Sequence, residues 1–149
     1  MGDLIKYQED ILERLPTRAR KLIKENDVIV AKNISSLGNV MIVNKSFDNQ
    51  LASTGFIVLR PENKQKRNLL WAVSRSEILK KQMYYLSATA VQPEVSETIF
   101  KENMLIPIPK DKEIISKIND NVDKIQDNLN KIVEETKEMD YELNKFLKM

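Results

Sequence analysis

The stretches Asp27-Val28-Ile29-Val30-Ala31 and Val40-Met41-Ile42-Val43 are short, apolar and rich in β-branched residues. Polar residues bound each of them, so each reads as a strand. Ser35, Ser36, Gly38 and Asn39 lie between the two and predict a tight connection, hence a hairpin. Phe56-Ile57-Val58-Leu59 is a third run of the same kind, and Arg60-Pro61-Glu62-Asn63 ends it. A helical stretch rich in Leu, Lys and Tyr then runs from Asn68 to Leu86. It breaks near Ser74, where Ser74-Arg75-Ser76-Glu77 has the form of a capping box. Trp71, on the first piece, reads as core. Leu105-Ile106-Pro107-Ile108-Pro109 reads as an extended exit strand, because a residue before Pro avoids the helical region. Gly38 and Gly55 read as backbone positions, needed for positive φ or close approach. Ahead of the strands, Lys6 to Leu15 is compatible with a helix and Pro16 interrupts it. Thr17-Arg18-Ala19-Arg20-Lys21, with Lys24, gathers four positive charges in a few residues.

The chain changes character near Pro109. Residues 111–149 contain neither Pro nor Gly. Their apolar positions are Ile115, Ile118, Val122, Ile125, Leu129, Ile132, Met139, Leu143 and Phe146, with Thr136 in step. The spacing alternates three and four, which is a heptad repeat. It predicts one helix roughly 55 Å long. A stripe two-sevenths of a helix wide cannot bury itself, and no other predicted helix of the chain matches its length. The expectation is therefore a partner helix from another chain, with Thr136 as a polar a position that fixes register at some cost in stability. The alternative is that the stripe lies on the chain's own body. A sustained 3.5 period argues against that, since an ordinary surface helix follows 3.6. The predicted fold class is α+β: a small mixed α/β body over residues 1–110, then a long coiled-coil helix over 111–149.

Composition excludes much chemistry. The 149 residues contain no Cys and no His. Disulfides, zinc ribbons, thiol nucleophiles, His-based acid–base catalysis and His metal sites are out. Three Gly cannot write a GxGxxG fingerprint or a P-loop. No catalytic residue, metal site or cofactor is expected, and the chain reads as a non-enzyme. No apolar run approaches the roughly 18 residues of a membrane span. Met1-Gly2-Asp3-Leu4-Ile5-Lys6 does not open a signal peptide, so the expected compartment is the cytoplasm. Residues 1–110 carry 17 Lys and Arg against 12 Asp and Glu, which is +5; residues 111–149 carry 7 against 10, which is −3. A basic body on an acidic tail suits a body that meets a polyanion and a tail that meets protein.

Several local features are unusual in combination. Asp27-Val28-Ile29-Val30-Ala31 leads to Leu37-Gly38-Asn39-Val40, then to Ala52-Ser53-Thr54-Gly55-Phe56-Ile57-Val58-Leu59-Arg60-Pro61. After the helical stretch comes Ala88-Thr89-Ala90-Val91-Gln92-Pro93-Glu94-Val95-Ser96, and last Ile106-Pro107-Ile108-Pro109 opens into the long helix. This order resembles the target recognition domain of type I restriction-modification specificity subunits, over about residues 15–149. That family shows a Gly-Asp strand, an "lGN" turn, an "aStGf-vlRP" strand, a helical pair, a "Gt-yp-vs" loop and a proline-rich strand entering a conserved helix. Asn26-Asp27 stands here for Gly-Asp, and Ala88-Thr89-Ala90 for Gly-Thr or Gly-Ala. The family domain is longer on its N-terminal side, and a whole subunit carries two domains and two helices. The expectation is the C-terminal part of one recognition domain plus one helix.

The resemblance implies a binding subunit that tells methyltransferase subunits where to sit, with methyl transfer and cleavage done by other chains. It implies double-stranded DNA, the methyltransferase subunits and the restriction subunit as partners. It also implies helix pairing, either as a homodimer or with another specificity subunit. Base edges are read by Asn, Gln, Arg, Lys, Ser and Thr on loops. The candidates are Lys32, Asn33, Ser35 and Ser36; Asn49, Gln50, Ser53 and Thr54; and Thr89 and Gln92. Arg18, Arg20, Lys21 and Lys32 suit phosphates. Each has a bland alternative, because Asn, Ser and Thr also form turns by bonding their own backbone. Two other functions compete. One is a truncated interaction module that pairs through its helix without binding DNA. The other is a carboxylate-based nuclease, for which Asp27 has no evident second carboxylate.

Overall fold

The computed structural model describes residues 17–87 and 93–148. Strands β1 (Ala19–Leu22), β2 (Val28–Ala31), β3 (Val40–Ile42), β4 (Leu51–Ser53) and β5 (Phe56–Leu59) precede four helices. These are α1 (Lys64–Ser74), α2 (Glu77–Ser87), α3 (Glu97–Asn103) and α4 (Lys112–Leu147). The architecture is α+β with a long C-terminal helix, as the sequence pattern predicts.

The strand order is β3-β2-β5 in one antiparallel sheet and β1-β4 in a second. β2 is central, with Val28 opposite Ile42 on one side and Leu59 on the other. All four of its residues are buried, because both faces of this sheet are covered. Val28, Val30, Val40, Ile42 and Ile57 pack with Trp71, Met83, Val95, Phe100 and Val122 on the helical side. Ile29 and Val43 pack with Ile23 and Ala52 of the two-stranded layer on the other. The period-two alternation along β2 thus divides one strand between two cores.

The register of β2 is set at its start. Asp27 is 1% exposed. Its carboxylate accepts from Arg60 Nε at 2.8 Å and Nη2 at 2.7 Å, and from the Lys24 backbone N–H at 2.8 Å. Arg60 follows β5 directly, so this bidentate pair clamps β5 to the head of β2. Pairing with the carboxylate raises the Arg60 pKa. Asn26, just before, has φ 71°. That left-handed conformation suits Gly best and Asn next, which explains why Asn can stand for Gly there.

Four local expectations change. The first helix starts at Lys64, where Asn63 Oδ1 accepts from the Lys66 N–H at 2.9 Å. Ser76 caps the second helix by accepting from the Leu79 N–H at 3.3 Å, whereas Ser74 is buried. Residues 104–110 have no regular secondary structure and join no strand; Gln82 instead holds the Leu105 N–H and C=O, each at 2.9 Å. Gly38 does have φ 87°, with Lys80 Cε only 2.5 Å from where a Cβ would stand. Gly55 has neither positive φ nor a crowded Cβ position. Trp71 is core, with Nε1 donating to the Val40 carbonyl at 3.2 Å and the Arg75 guanidinium 4.4 Å above its ring.

Asp27→Asn keeps the shape but removes the charge that takes both Arg60 donors. Urea unfolding should show a loss of about 2 kcal/mol, with a smaller loss for Arg60→Lys. An unchanged midpoint in Asp27→Asn would show that the clamp contributes nothing.

Candidate nucleic-acid interface and the long helix

The topology gathers most of the sequence candidates at one end of the sheets. Lys32 N–H donates to the Gly55 carbonyl at 3.1 Å and Thr54 N–H to the Arg18 carbonyl at 2.8 Å. Ile34 N–H donates to the Pro93 carbonyl at 2.9 Å, and Val95 N–H to the Lys32 carbonyl at 3.0 Å. Arg18, Arg20, Lys32, Asn33, Ser35, Ser36, Ser53 and Thr54 therefore surround the far end of β2. Asn49 and Gln50 lie at the other end, where their backbones bond Ile23. Thr89 and Gln92 lie outside the described residues.

Many of these side chains have local partners. Asn33 Oδ1 accepts from the Ser35 N–H at 2.9 Å and hydroxyl at 2.8 Å, opening a 3-10 turn. Asn44 and Ser46 repeat the arrangement one loop later. Ser53 Oγ accepts from the Gly55 N–H at 3.1 Å. Asn49, with φ 60°, donates to Asp48 Oδ2 at 2.9 Å. Arg20 Nε donates to the Thr17 carbonyl. The two lysines offered as phosphate contacts are drawn inward. Lys21 Nζ bonds Glu97 and the Phe56 carbonyl, and Lys32 Nζ lies 3.6 Å from Glu94. Burial lowers the Lys21 pKa, and the charges of Lys32 and Lys101 lower it further. Sequence reasoning missed Glu94, Glu97 and Lys101. Their signal was Ser96, which caps α3 by accepting from the Ile99 N–H at 3.2 Å. What remains outward at this end is Arg18, the free guanidinium nitrogens of Arg20, and the rim of the Asn33–Ser36 turn.

The long helix is tied on by α1. Asn68 is fully buried and donates to Asp123 Oδ1 at 2.9 Å. Lys64 Nζ lies 2.8 Å from Asp123 Oδ2, and Arg67 Nη2 lies 3.5 Å from Oδ1. Arg67 also reaches Asn26 Oδ1 at 2.6 Å. Val122 is 2% exposed and belongs to the body's core, with Ile118 packed beside it. Ile115 and Leu129 are half-buried. Ile125, Ile132, Met139, Leu143 and Phe146 are exposed. The stripe is thus divided, its first part covered by the chain's own body and its later part uncovered. Thr136 donates its hydroxyl to the Ile132 carbonyl at 2.7 Å, so it is satisfied within its own helix.

Among the described residues no group of three or more His, Cys, Asp or Glu could hold a metal ion. None of their helices is long and apolar enough to cross a membrane.

Loops gathered at one end of two packed sheets, and a long helix whose later part is uncovered, make up the architecture. The family model described as type I restriction modification DNA specificity domain matches residues 6–138, and the chain belongs to that family. The HsdS subunit from Thermoanaerobacter tengcongensis is similar in structure, with a TM-score of 0.65, 27% identity, and coverage of 88% of this chain and 34% of that one. A chain from a study of complex assembly and conformational transition of the type I R-M system matches at TM-score 0.67 and 28% identity, over 92% of this chain and 36% of that one. The chain thus spans about a third of the length of each. No curated protein matches the chain.

Hydrogen bonds, first from Lys64 and then from Asn68, hold the Asp123 pKa below its ordinary value of 3.8, against the opposing effect of burial. A lowered carboxylate pKa gives stability that is present above the unfolded value and lost as pH falls through the folded one. Acidifying from pH 5 to below about 3 should loosen α4 from α1, by about 0.5 kcal/mol for so exposed a carboxylate. Hydrogen exchange at Val122 reads this loosening, and Asp123→Asn should remove that part of its acid dependence.

Proposed function

We propose that this chain is a DNA sequence-recognition subunit or half-subunit of a type I restriction-modification system. It reads part of a double-stranded target through the end formed by Arg18, the Asn33–Ser36 turn and Thr54. Its long helix holds that end at a fixed distance from a second recognition unit and helps to position methyltransferase subunits, with the restriction subunit joining that assembly. The chain performs no catalysis of its own in this scheme and works in the cytoplasm. The carrying observation is the convergence of three separate loops on one end of the β2 ladder, in a chain that belongs to the specificity-domain family. Loops on a rigid scaffold are the usual carriers of base readout.

The exposed stripe supports the second part. Five large apolar residues at heptad spacing are exposed along α4. A second copy, related by two-fold symmetry, covers such a stripe with its own. The division into a recognition body and a pairing helix follows from this, with the first turns of α4 serving the body as well.

Two experiments test the reading. Duplexes selected from a random pool should bind the full chain with an affinity that falls steeply with salt. Replacing Arg18 and Arg20 together by Ala should reduce the slope of log K against log salt by about 1.8, if each contacts one phosphate. Absence of any selected sequence at low salt would favour the interaction module without a DNA role. In light scattering, the chain alone should have the mass of a dimer. Ile132→Glu with Leu143→Glu should give a monomer with an unchanged melting temperature, whereas Val122→Glu should unfold the body. A wild-type monomer would remove the self-pairing.

A further inference from the structure

Among the described residues no strand pairs with the outer edge of β5. In an antiparallel ladder, alternate residues turn their N–H and C=O toward the partner strand. Lys32 bonds Gly55, so Ile57 and Leu59 face β2, while Phe56 and Val58 face away from it. Lys21 Nζ takes the Phe56 carbonyl. The Val58 N–H and C=O have no hydrogen-bond partner among the described residues. They open into a groove of about 440 Å³ between β5, β1 and α3.

The groove has a consistent chemistry. Leu22, Phe100, Met104 and Ile106 line it, and Leu22 is half exposed. Lys101 stands on its rim; Arg60, beside it, is already held by Asp27, and the one carboxylate among the lining residues, Glu97, is already taken by Lys21. An unpaired N–H and C=O side by side ask for the main chain of an extended strand. Apolar walls ask for apolar side chains at every second residue, and the basic rim asks for a carboxylate between them. Duplex DNA offers neither a strand edge nor apolar side chains. The free stripe of α4 is helical, so its backbone groups are already paired. An inward-pointing Lys is a common guard on a sheet edge, but Lys21 guards Phe56 and leaves Val58 open.

We propose that this groove receives an extended peptide segment of a partner protein, alternating apolar and acidic side chains, which adds as a strand to β5 at Val58. The proposal stands independently of DNA reading and of helix pairing.

The test uses the full chain, labelled with nitrogen-15, and the synthetic pentapeptide acetyl-Leu-Asp-Val-Glu-Leu-amide. A second peptide carries an N-methyl group on its central Val, which deletes one main-chain donor. Saturating pentapeptide should slow amide exchange at Val58 at least tenfold. The N-methyl peptide should bind about fivefold more weakly, and Lys101→Glu should weaken the parent peptide about threefold. Val58→Pro removes the outward N–H, a loss an edge strand can accept, and exchanges a side chain that packs beside Ile29 and Val43; it should keep the circular dichroism spectrum and lose the peptide. If that variant does not fold, the N-methyl comparison on the native chain decides. Unchanged exchange at Val58, equal binding of the two peptides, or equal protection of Val58 by a DNA duplex would each overturn the proposal.

Discussion

Everything in the body follows from how the head of β2 is held. Asp27 is buried, yet it is a charge, and a buried carboxylate is tolerated only when paired and hydrogen-bonded. Arg60 supplies two donors and the Lys24 backbone a third. The Asp27 carbonyl accepts from Val43 at 2.8 Å, and the Val43 carbonyl accepts from the Asn26 N–H at 2.8 Å. One residue therefore ties β2 to β3 through its main chain and to β5 through its side chain. A slip by one residue would turn Val28 and Val30 out of the helical core and put Ile29 in their place. The clamp makes that slip costly at the one strand with no exposed face. The same corner reaches the helix, since Asn26 bonds Arg67, Arg67 bonds Asn68, and Asn68 bonds Asp123. A continuous polar path thus relates the sheet register to the seat of α4.

The division of the helical stripe has a geometrical cause. An α-helix turns about 100° per residue, so a 3.5 repeat drifts by about 20° in each heptad. The face of α4 toward the body follows the helix itself, through Asn119, Val122, Gln126, Val133 and Lys137. The heptad stripe coincides with that face near Ile115 and Val122 and then drifts away. By Leu143 and Phe146, four heptads beyond Ile115 and Ile118, the two directions are roughly 80° apart. A single regular helix thereby serves two surfaces without a kink. The polar groove lined by Gln126 and Asn130 on one side and Asn44 and Ser46 on the other marks where the helix parts from the body.

The same physics explains what could be read in advance. β2, β3, β5 and α4 were legible because apolar residues repeat at their own period. β1 was not, since Ala-Arg-Lys-Leu carries no apolar alternation and its partner β4 is some thirty residues away in the chain. Nor was α3, seven residues long and announced only by Ser96. Around the far end of β2, the residue types were legible but their allegiance was not. Asn33 and Ser35 could read a base or build a turn with the same atoms, and here Oδ1 and the hydroxyl build the turn. Lys21 and Lys32 look solvated in the chain because Glu97 and Glu94 follow more than sixty residues later.

That neutralisation bears on why a recognition body and a pairing helix share one chain under the proposed function. The +5 of the body does not collect at the recognition end, where Lys21 and Lys32 are matched by Glu97 and Glu94 and the outward cations are Arg18 and Arg20. Each phosphate contact adds to affinity through released counterions, so a few contacts give weak binding at physiological salt. Weak charge has one advantage, in that less of the affinity is shared by every sequence. A second unit held at fixed distance restores affinity by turning its own binding into an intramolecular event. The gain requires a connection stiff enough to fix the spacing, and a helix docked by Val122 and Asp123 at one end would supply that stiffness once paired as proposed. Affinity then comes from joining two units, and discrimination from the turns that each unit presents.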